Sequence, residues 1–158
     1  MTIATRLRQF LESEGVSYDV VPHPRTTTSV GSAHAAHVPG DRVTKSVVVH
    51  HGRGYVLAVV PSTHRVELGT LQNLLDERLS LATEDELGRL FEDCELGAIT
   101  PIGAAYGVPV IPDESVCGAT DLFFEGGDHR SLIHISGEAF QKLTKDARRA
   151  RFSHPAEL

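Results

Sequence analysis

The sequence predicts a single α/β domain around a curled, mixed β-sheet, and three observations support this fold class. Helical and strand-like patterns alternate along the 158 residues, as in domains that pack helices against a sheet. Two strand pairs flank short glycine-containing turns, which is typical of antiparallel hairpins. The chain has 41% hydrophobic residues and neither repeats nor a linker, so one core is expected. We place the domain over residues 1–152 and a tail over residues 153–158.

The N-terminal part is predicted to contain a helix, a short strand and a second helix. Apolar residues recur at helical spacing and predict a first helix over residues 2–14, with Gly15 at its end. Residues 18–21 are typical of a short strand that ends at prolines. The alanine-rich residues 29–37 suit a second short helix, capped by the serine at position 29 or 32.

The clearest hairpin lies in the middle of the chain. Its β-rich strands, residues 43–50 and 55–60, are joined through a turn at residues 52–54. Thr83 and Glu86 form a capping box, which predicts the start of a further helix. Between the hairpin and this helix we expect, in order, a loop, a leucine-rich helix and a short strand at residues 61–64, 68–75 and 79–82.

The last third of the chain is predicted to form a second hairpin and a final helix. The strands of the hairpin, residues 122–125 and 130–135, flank a glycine-rich turn at 126–128. Ser136 is the expected N-cap of a helix over residues 137–143. Two further short strands are expected at residues 108–111 and 116–119. The C-terminal end is expected to be frayed after Asp146.

The charge of the chain limits its partners. It has 15 Lys and Arg residues against 21 Asp and Glu residues, a formal charge of −6. Proteins that wrap nucleic acid normally present a basic face, but the only dense basic run here is residues 148–151, so a nucleic-acid partner would be contacted at one end. No apolar stretch approaches the roughly 20 residues of a membrane span, and the N-terminus lacks the apolar segment of a secretory signal. We expect a cytoplasmic protein without a membrane partner.

Lys45 is the most informative single residue. In the first strand of the central hairpin it shares a face with Val43, Val47 and Val49. An unpaired ammonium group among valines is costly to bury. Two interpretations are open: a lysine near the strand end whose amine reaches water, or a pocket lysine that binds an anionic or carbonyl-rich ligand.

A second candidate feature is the loop over residues 97–103, with the sequence GAITPIG. Its two glycines and its proline fix the backbone and allow a ligand to approach the main chain closely. Such a loop can orient a water or a carbonyl group with its own N–H and C=O groups. It can equally be a simple turn between a helix and a strand.

The histidines and cysteines match no metal or nucleophile motif. His34 and His37 are conceivable as a metal pair, but surface histidines are the better explanation. Cys94 and Cys117 have neither metal-binding nor redox spacing. No P-loop, dinucleotide-binding or serine-elbow motif is present, so no cofactor or metal is predicted, and a hydrolase would use water as its nucleophile. His129 follows the turn of the second hairpin, where its ring can reach a site.

Three segments occur in a definite order: VTKSVVV at residues 43–49, the loop at 97–103 and FEGGDH at 124–129. Together they resemble the YbaK/EbsC family, which is related to the editing domain of bacterial prolyl-tRNA synthetases, and the resemblance extends from the first helix to about Phe152. It implies a single α/β domain around a curled, barrel-like mixed sheet with surrounding helices. It also implies an aminoacyl-tRNA deacylase that removes mischarged amino acids, for example alanine or cysteine from the proline tRNA.

The resemblance implies roles for individual residues. Lys45 would be the essential pocket lysine, and Gly97 would belong to the loop that cradles the aminoacyl ester. His129, or alternatively His134, would lie near the substrate. Further substrate contacts are expected from Thr44, Ser46, Thr100, Pro101 and Gly103.

The chemistry expected of such a site is modest. An aminoacyl ester is already activated, so holding it beside a water supplies much of the rate. Lys45 would neutralise a phosphate or ribose oxygen of the terminal adenosine, residues 97–103 would hold the water or the oxyanion, and the terminal ribose hydroxyl would assist proton transfer. Only the 3′ acceptor end of the aminoacyl-tRNA need enter the pocket. An aminoacyl-tRNA synthetase is a second candidate partner.

Two other functions stay open at this point. A non-catalytic module would bind charged tRNA or a nucleotide, in association with a synthetase, without accelerating hydrolysis. An esterase for a small metabolite would turn over without tRNA. The amino acid, the tRNA and the oligomeric state are left open by the sequence.

Overall fold

The computed structural model describes residues 3–156, which form α-helices, β-strands and two single 3₁₀ turns. The helices are Thr5–Ser13 (α1), Ser29–Ala35 (α2), Leu68–Leu75 (α3), Glu84–Leu90 (α4), Glu114–Cys117 (α5) and Gly137–Leu143 (α6). The strands are Asp19–Pro22 (β1), Thr44–His51 (β2), Gly54–Pro61 (β3), His64–Val66 (β4), Ser80–Leu81 (β5), Val110–Pro112 (β6), Asp121–Glu125 (β7), Ser131–Ser136 (β8) and Ser153–Pro155 (β9). The 3₁₀ turns are Gly40–Arg42 and Gly103–Tyr106.

The strands form three open sheets. The first is antiparallel, in the order β1-β8-β7, and the second is mixed, in the order β5-β2-β3-β6, with β3 and β6 parallel. β4 and β9 form a separate antiparallel ribbon. Between the two larger sheets, β-pairing within residues 3–156 is limited to one isolated parallel bridge, from Val43 to Phe123. The mixed α/β class is confirmed, but the expected barrel-like closure is not supported, because pairing between these sheets stops after that bridge.

The main core lies between the inner faces of the two larger sheets. Val48 of β2 and Leu57 of β3 belong to one buried cluster with Leu122 of β7 and Ile133 of β8. Two leucines of α1 extend the same cluster. Neighbouring residues along each strand point the other way, as the two-residue period of a strand requires.

Two separate covers protect the outer faces of these sheets. α3 and the C-terminal segment cover β2 and β3, where Val49, Ala58 and Phe152 are buried together. α2 covers β7 and β8, where Ala33 is buried with Val43 and Leu132. Position 45 of β2 therefore lies on the outer face between the two covers.

The elements with strong local signals form as predicted. Both hairpins pair antiparallel, the capping box of Thr83 and Glu86 is formed, and Ser136 caps α6. α2 is capped by Thr28, not by either predicted serine, because the Thr28 hydroxyl accepts a 2.9 Å hydrogen bond from the N–H of Gly31. α1 begins at Thr5; residue 2 of the predicted helix lies outside the described residues.

Residues 116–119 do not form the expected strand. Glu114–Cys117 is a short helix instead, because Asp113 Oδ2 accepts a 3.1 Å hydrogen bond from the N–H of Ser115 and caps it. The carboxylate of Asp113 is buried and also accepts a hydrogen bond from a distant part of the chain. That long-range partner is not visible in the local pattern.

The frayed C-terminal end is also wrong for the described residues. Phe152 is fully buried, and its N–H donates a 2.8 Å hydrogen bond to Asp113 Oδ1. The following strand β9, which falls within the expected tail, pairs with β4. Among residues 3–156, no helix has both the length and the apolar character that a membrane span requires.

Candidate active site

Lys45 lies on the outer face of β2, between the cover formed by α2 and the cover formed by α3. Its side chain is half-buried and has no hydrogen bond or ion pair with any of residues 3–156. Burial and, to a lesser extent, the charge of Arg65 lower the pKa of Lys45. An unpaired, partly desolvated ammonium group is typical of a ligand-binding position.

The bridge between the two larger sheets brings a second ionisable residue to this face. Val43 pairs in parallel with Phe123, and residues paired in this way point to the same side of a sheet. Lys45 and Glu125 lie two residues further along their strands, on that same side. The ladder does not continue to them, so these two side chains flank the place where the sheets part.

Glu125 is a buried carboxyl group without partners. It is 2% exposed, opposite Leu132 on the face that α2 covers. Neither of its oxygens has a hydrogen-bond partner among the described residues. Burial raises the pKa of Glu125 to about 7; the Ser32 hydroxyl opposes this rise, and Asp128 adds to it. Because such groups are costly to bury unpaired, this glutamate is a candidate binding group.

His129 is buried beside the loop at residues 97–103. It is 4% exposed and adopts a positive φ of 60°. Its Nε2 lies within hydrogen-bond distance of the carbonyl oxygen of Leu96. Since a carbonyl can only accept, Nε2 carries a proton. Nδ1 is buried and has no partner among the described residues, so it is a candidate contact for a ligand.

Gly97 allows this placement of His129. Its φ is +83°, and a Cβ there would lie 3.0 Å from His129 Cε1 and 3.1 Å from the carbonyl oxygen of Thr27. A larger residue would push the histidine ring or the segment before α2 away. Gly97 thus supports the position of His129 whether or not a ligand also approaches its backbone.

The segment before α2 links these groups. The N–H of Thr26 donates a 3.1 Å hydrogen bond to the carbonyl oxygen of His129, and the hydroxyls of Thr26 and Ser32 are 2.6 Å apart. Arg25 makes two hydrogen bonds, of 3.0 and 3.2 Å, to the carboxylate of Glu95. These contacts connect the segment before α2 to His129 and to α2, the helix that covers Glu125. The same segment is connected through Arg25 and Glu95 to the residues just before Gly97.

Two of the predicted substrate-contact residues, Thr44 and Ser46, lie on the inner side of β2, and a third, Thr100, lies in the loop. The hydroxyl of Ser46 donates a 3.1 Å hydrogen bond to the carbonyl oxygen of Ile99, which ties the loop to the strand beside Lys45. The Thr44 side chain is buried with its hydroxyl unpaired. Alternation along β2 directs both side chains away from the face of Lys45. Thr100 is buried and accepts a 3.3 Å hydrogen bond from the N–H of Ile102, so it stabilises the loop.

Pro101 and Gly103 lie elsewhere. They line a cavity of about 620 Å³ whose wall also includes Phe10, Val108 and Val110. A Cβ at Gly103 would collide with the carbonyl oxygen of Val108, so this glycine is needed for close packing. Neither Lys45 nor His129 lines this cavity. The structure does not bring Pro101 and Gly103 together with the other predicted site residues.

His134, the alternative to His129, is engaged with carboxylates. Its ring nitrogens lie 2.9 Å from Asp121 and 3.4 Å from Asp19, and its ring stacks on Phe123 at 4.3 Å. Of the two histidines, only His129 adjoins Gly97.

Two polar residues of this region were not predicted from the sequence. Glu125 ends an apolar strand of sequence DLFFE, and a charged residue at the end of such a strand was the available signal. His23 is buried; its Nδ1 lies 2.7 Å from the carbonyl oxygen of Pro24, and its Nε2 is unpaired. No group of three or more His, Cys, Asp or Glu side chains within residues 3–156 is arranged to hold a metal ion.

Comparisons with known proteins identify related sequences. The profile of the aminoacyl-tRNA editing domain family matches residues 23–143. The chain is 30% identical to the proline–tRNA ligase of Fervidobacterium nodosum over 126 residues, 79% of its length. It is also 30% identical to the proline–tRNA ligase of Geobacillus thermodenitrificans over 109 residues, 64% of its length. The chain spans only about a fifth of each ligase, 21% and 19% respectively.

A solved structure of similar size has the same fold. The crystal structure of a candidate trans-editing enzyme for prolyl tRNA synthetase superimposes with a TM-score of 0.84. The alignment has 27% sequence identity and covers 96% of each chain. The mixed α/β fold is therefore shared with that solved chain over nearly its whole length.

Proposed function

The chain belongs to the aminoacyl-tRNA editing domain family, as its resemblance to YbaK/EbsC proteins predicts, and from this membership we propose that it is a trans-editing aminoacyl-tRNA deacylase. It hydrolyses the ester between a mischarged amino acid and its tRNA, with water as the nucleophile. Alanine and cysteine on the proline tRNA are the first substrates to consider, because the matched relatives are proline–tRNA ligases. The cytoplasm, where tRNA is charged, is the proposed location.

One observation carries this proposal: ionisable groups without partners lie on the outer faces of β2 and β7 and beside Gly97, in the loop that Ser46 of β2 holds. Lys45 has no carboxylate partner among residues 3–156, and Glu125 and His129 are buried with unsatisfied atoms. A fold keeps such groups at a cost to its stability. An aminoacyl-adenosine end offers complements to all of them, because it carries an ammonium group, an ester carbonyl, ribose hydroxyls and a phosphate.

The proposed reaction is a direct hydrolysis. A water gives its proton to His129 Nδ1 while its oxygen attacks the ester carbonyl carbon. The ammonium of Lys45 stabilises negative charge at the reacting end, on the carbonyl oxygen or on the neighbouring ribose or phosphate oxygens. The tetrahedral intermediate then loses the ribose oxygen, which takes the proton from His129 as the carbon–oxygen bond breaks. The products are a free amino acid and an uncharged tRNA.

Selection among amino acids rests on the size of the space beside these groups. A pocket that must reject one extra methylene gains only about 1–3 kcal/mol from doing so. The acidic charge of the chain is compatible with binding only the 3′ end of the tRNA, since few phosphates then need neutralising.

The test is a deacylation screen with purified chain and a panel of mischarged tRNAs that includes alanine and cysteine on the proline tRNA. Release from one amino acid–tRNA pair well above the spontaneous rate, with correctly charged prolyl-tRNA spared, is the expected result. Saturable binding without acceleration would instead identify a non-catalytic module. Turnover of small esters but not of charged tRNA would identify a metabolite esterase.

A further inference from the structure

We propose that Glu125 is the binding group for the α-ammonium of the aminoacyl substrate, facing Lys45 across the gap between the two larger sheets. This inference rests on the proposed function, since it names which part of that substrate each side of the gap binds. The lysine binds the electron-rich side of the ester or phosphate. The glutamate binds the cationic side of the amino acid.

The position of Glu125 supports this assignment first. It lies two residues after Phe123, as Lys45 lies two residues after Val43, and the bridge between Val43 and Phe123 puts all four on one face. If the strands had stayed paired, the lysine and the glutamate would be side-by-side neighbours and would neutralise each other. Because pairing stops, the two opposite charges are held on the same face without an ion pair between them.

The unsatisfied state of the carboxyl group supports it next. Each oxygen is enclosed and without a partner among residues 3–156. Burial favours the protonated acid and raises the pKa of Glu125 to about 7, whereas an arriving cation favours the carboxylate. A desolvated carboxylate binds an ammonium with short, charge-assisted hydrogen bonds. The aminoacyl ester of a tRNA carries such an ammonium, and an N-acetylated amino acid does not.

The cover over Glu125 consists mainly of small side chains. α2 has the sequence SVGSAHA, and its small side chains offer little apolar surface. Its one large apolar residue, Val30, is 50% exposed. The Ser32 hydroxyl is close enough to Glu125 to lower its pKa, but its hydrogen bond is with the Thr26 hydroxyl, 2.6 Å away.

The experiment measures binding of two non-hydrolysable probes by calorimetry. The first is 3′-(L-alanylamino)-3′-deoxyadenosine, which has a free ammonium, and the second is its N-acetyl derivative, which has none. The wild-type chain is expected to bind the first at least about tenfold more tightly, the factor that corresponds to one modest charge-assisted contact. Glu125→Gln should bind both probes equally. Glu138→Gln, the same change at an exposed glutamate of α6, should keep the wild-type ratio.

An unchanged ratio in Glu125→Gln overturns the inference, and so does a failure of the wild-type chain to bind either probe at millimolar concentration. If the variant does not fold, the carbon NMR signal of the Glu125 carboxyl group in the wild-type chain decides. A shift with the first probe but not with the second supports the inference, and no shift with either overturns it. The deacylation screen tests the proposed function separately. If the chain distinguishes the two probes but hydrolyses no mischarged tRNA, only the proposed function is overturned. If it hydrolyses mischarged tRNA but Glu125→Gln keeps the wild-type ratio of probe affinities, only this inference is overturned.

Discussion

Two regions of the molecule compete for the role of binding site, and they differ in kind. The cavity beside Pro101 has a volume of about 620 Å³, and its wall is mostly apolar. Two of its charged residues, Lys142 and Arg148, each donate a 2.6 Å hydrogen bond to a backbone carbonyl. The face of Lys45 and Glu125 instead carries ionisable groups that have no partner among residues 3–156.

The difference teaches that volume and chemistry need not coincide. Large apolar pockets are the usual first choice for a ligand site, yet a hydrolytic reaction needs groups that can move protons and stabilise charge. In this fold, such ionisable side chains without partners among residues 3–156 include Lys45 and Glu125, which follow the bridge where pairing between the two larger sheets stops. The following changes test which region matters.

Replacing Lys45 by Ala has the largest expected effect. Deacylation should fall about a thousandfold, because one preorganised charge at a reacting oxygen is worth up to that much. The thermal midpoint should stay close to that of the wild-type chain, since the amine has no partner among residues 3–156. Lys145→Ala, at the wall of the large cavity, should leave kcat unchanged. The opposite ranking of the two variants would favour the cavity.

Replacing His129 by Asn comes next. Asparagine tolerates the positive φ at this position, but it cannot accept a proton. We expect kcat to fall about a hundredfold with little change in KM. His134→Asn should reduce kcat much less, because that ring is engaged with Asp121. If His129→Asn and His134→Asn lower the single-turnover rate equally, His129 is not the base of the reaction.

Replacing Glu125 by Gln should change stability in a pH-dependent way. The folded chain holds the Glu125 proton up to about pH 7, whereas the unfolded chain releases it near the ordinary 4.5. The folded state binds more protons in this window, so this residue lowers the unfolding free energy as pH rises from 4.5 to about 7. The variant should gain on the order of 3 kcal/mol over the wild-type chain at pH 8 and almost nothing at pH 4. Urea unfolding at both pH values measures this.

A gain that is the same at both pH values would show that the carboxyl group is not desolvated in the folded chain. Glu138→Gln, at an exposed site, should show no comparable pH-dependent gain.

Filling the large cavity should have the smallest effect on activity. Val110→Phe adds volume at the wall of the cavity and should lower the unfolding free energy by about 1–3 kcal/mol through overpacking. The rate of deacylation should change less than about twofold, since no step of the proposed reaction uses this region. A large increase in KM would show that the cavity receives part of the substrate.

Local signals explain how much of the fold could be predicted. The hairpins, the capping box at Thr83 and the cap at Ser136 depend on residues close in sequence, and all are present. β4 and β9 pair residues about ninety positions apart, and α5 is held by the contact of Asp113 with residue 152. No local pattern encodes those contacts, so the sequence analysis expected a loop, a strand and a frayed end there.

The site follows the same rule. Lys45 and His129 stand out because a charged or ionisable residue interrupts a recognisable strand or turn. Glu125 was missed, because its importance depends on burial under α2 and on the lack of any partner. Pro101 and Gly103 follow Gly97 closely in sequence, but they line the apolar cavity, which His129 does not line.

The single bridge from Val43 to Phe123 has a consequence for how the chain tolerates insertions. It fixes the register of β7 against β2, and in a strand a slip of one residue exchanges the two faces. One residue inserted between Phe123 and Glu125 would turn the carboxyl group into the apolar interior now occupied by Phe124. Length at this point of the chain is therefore as tightly constrained as the identity of any residue in the site.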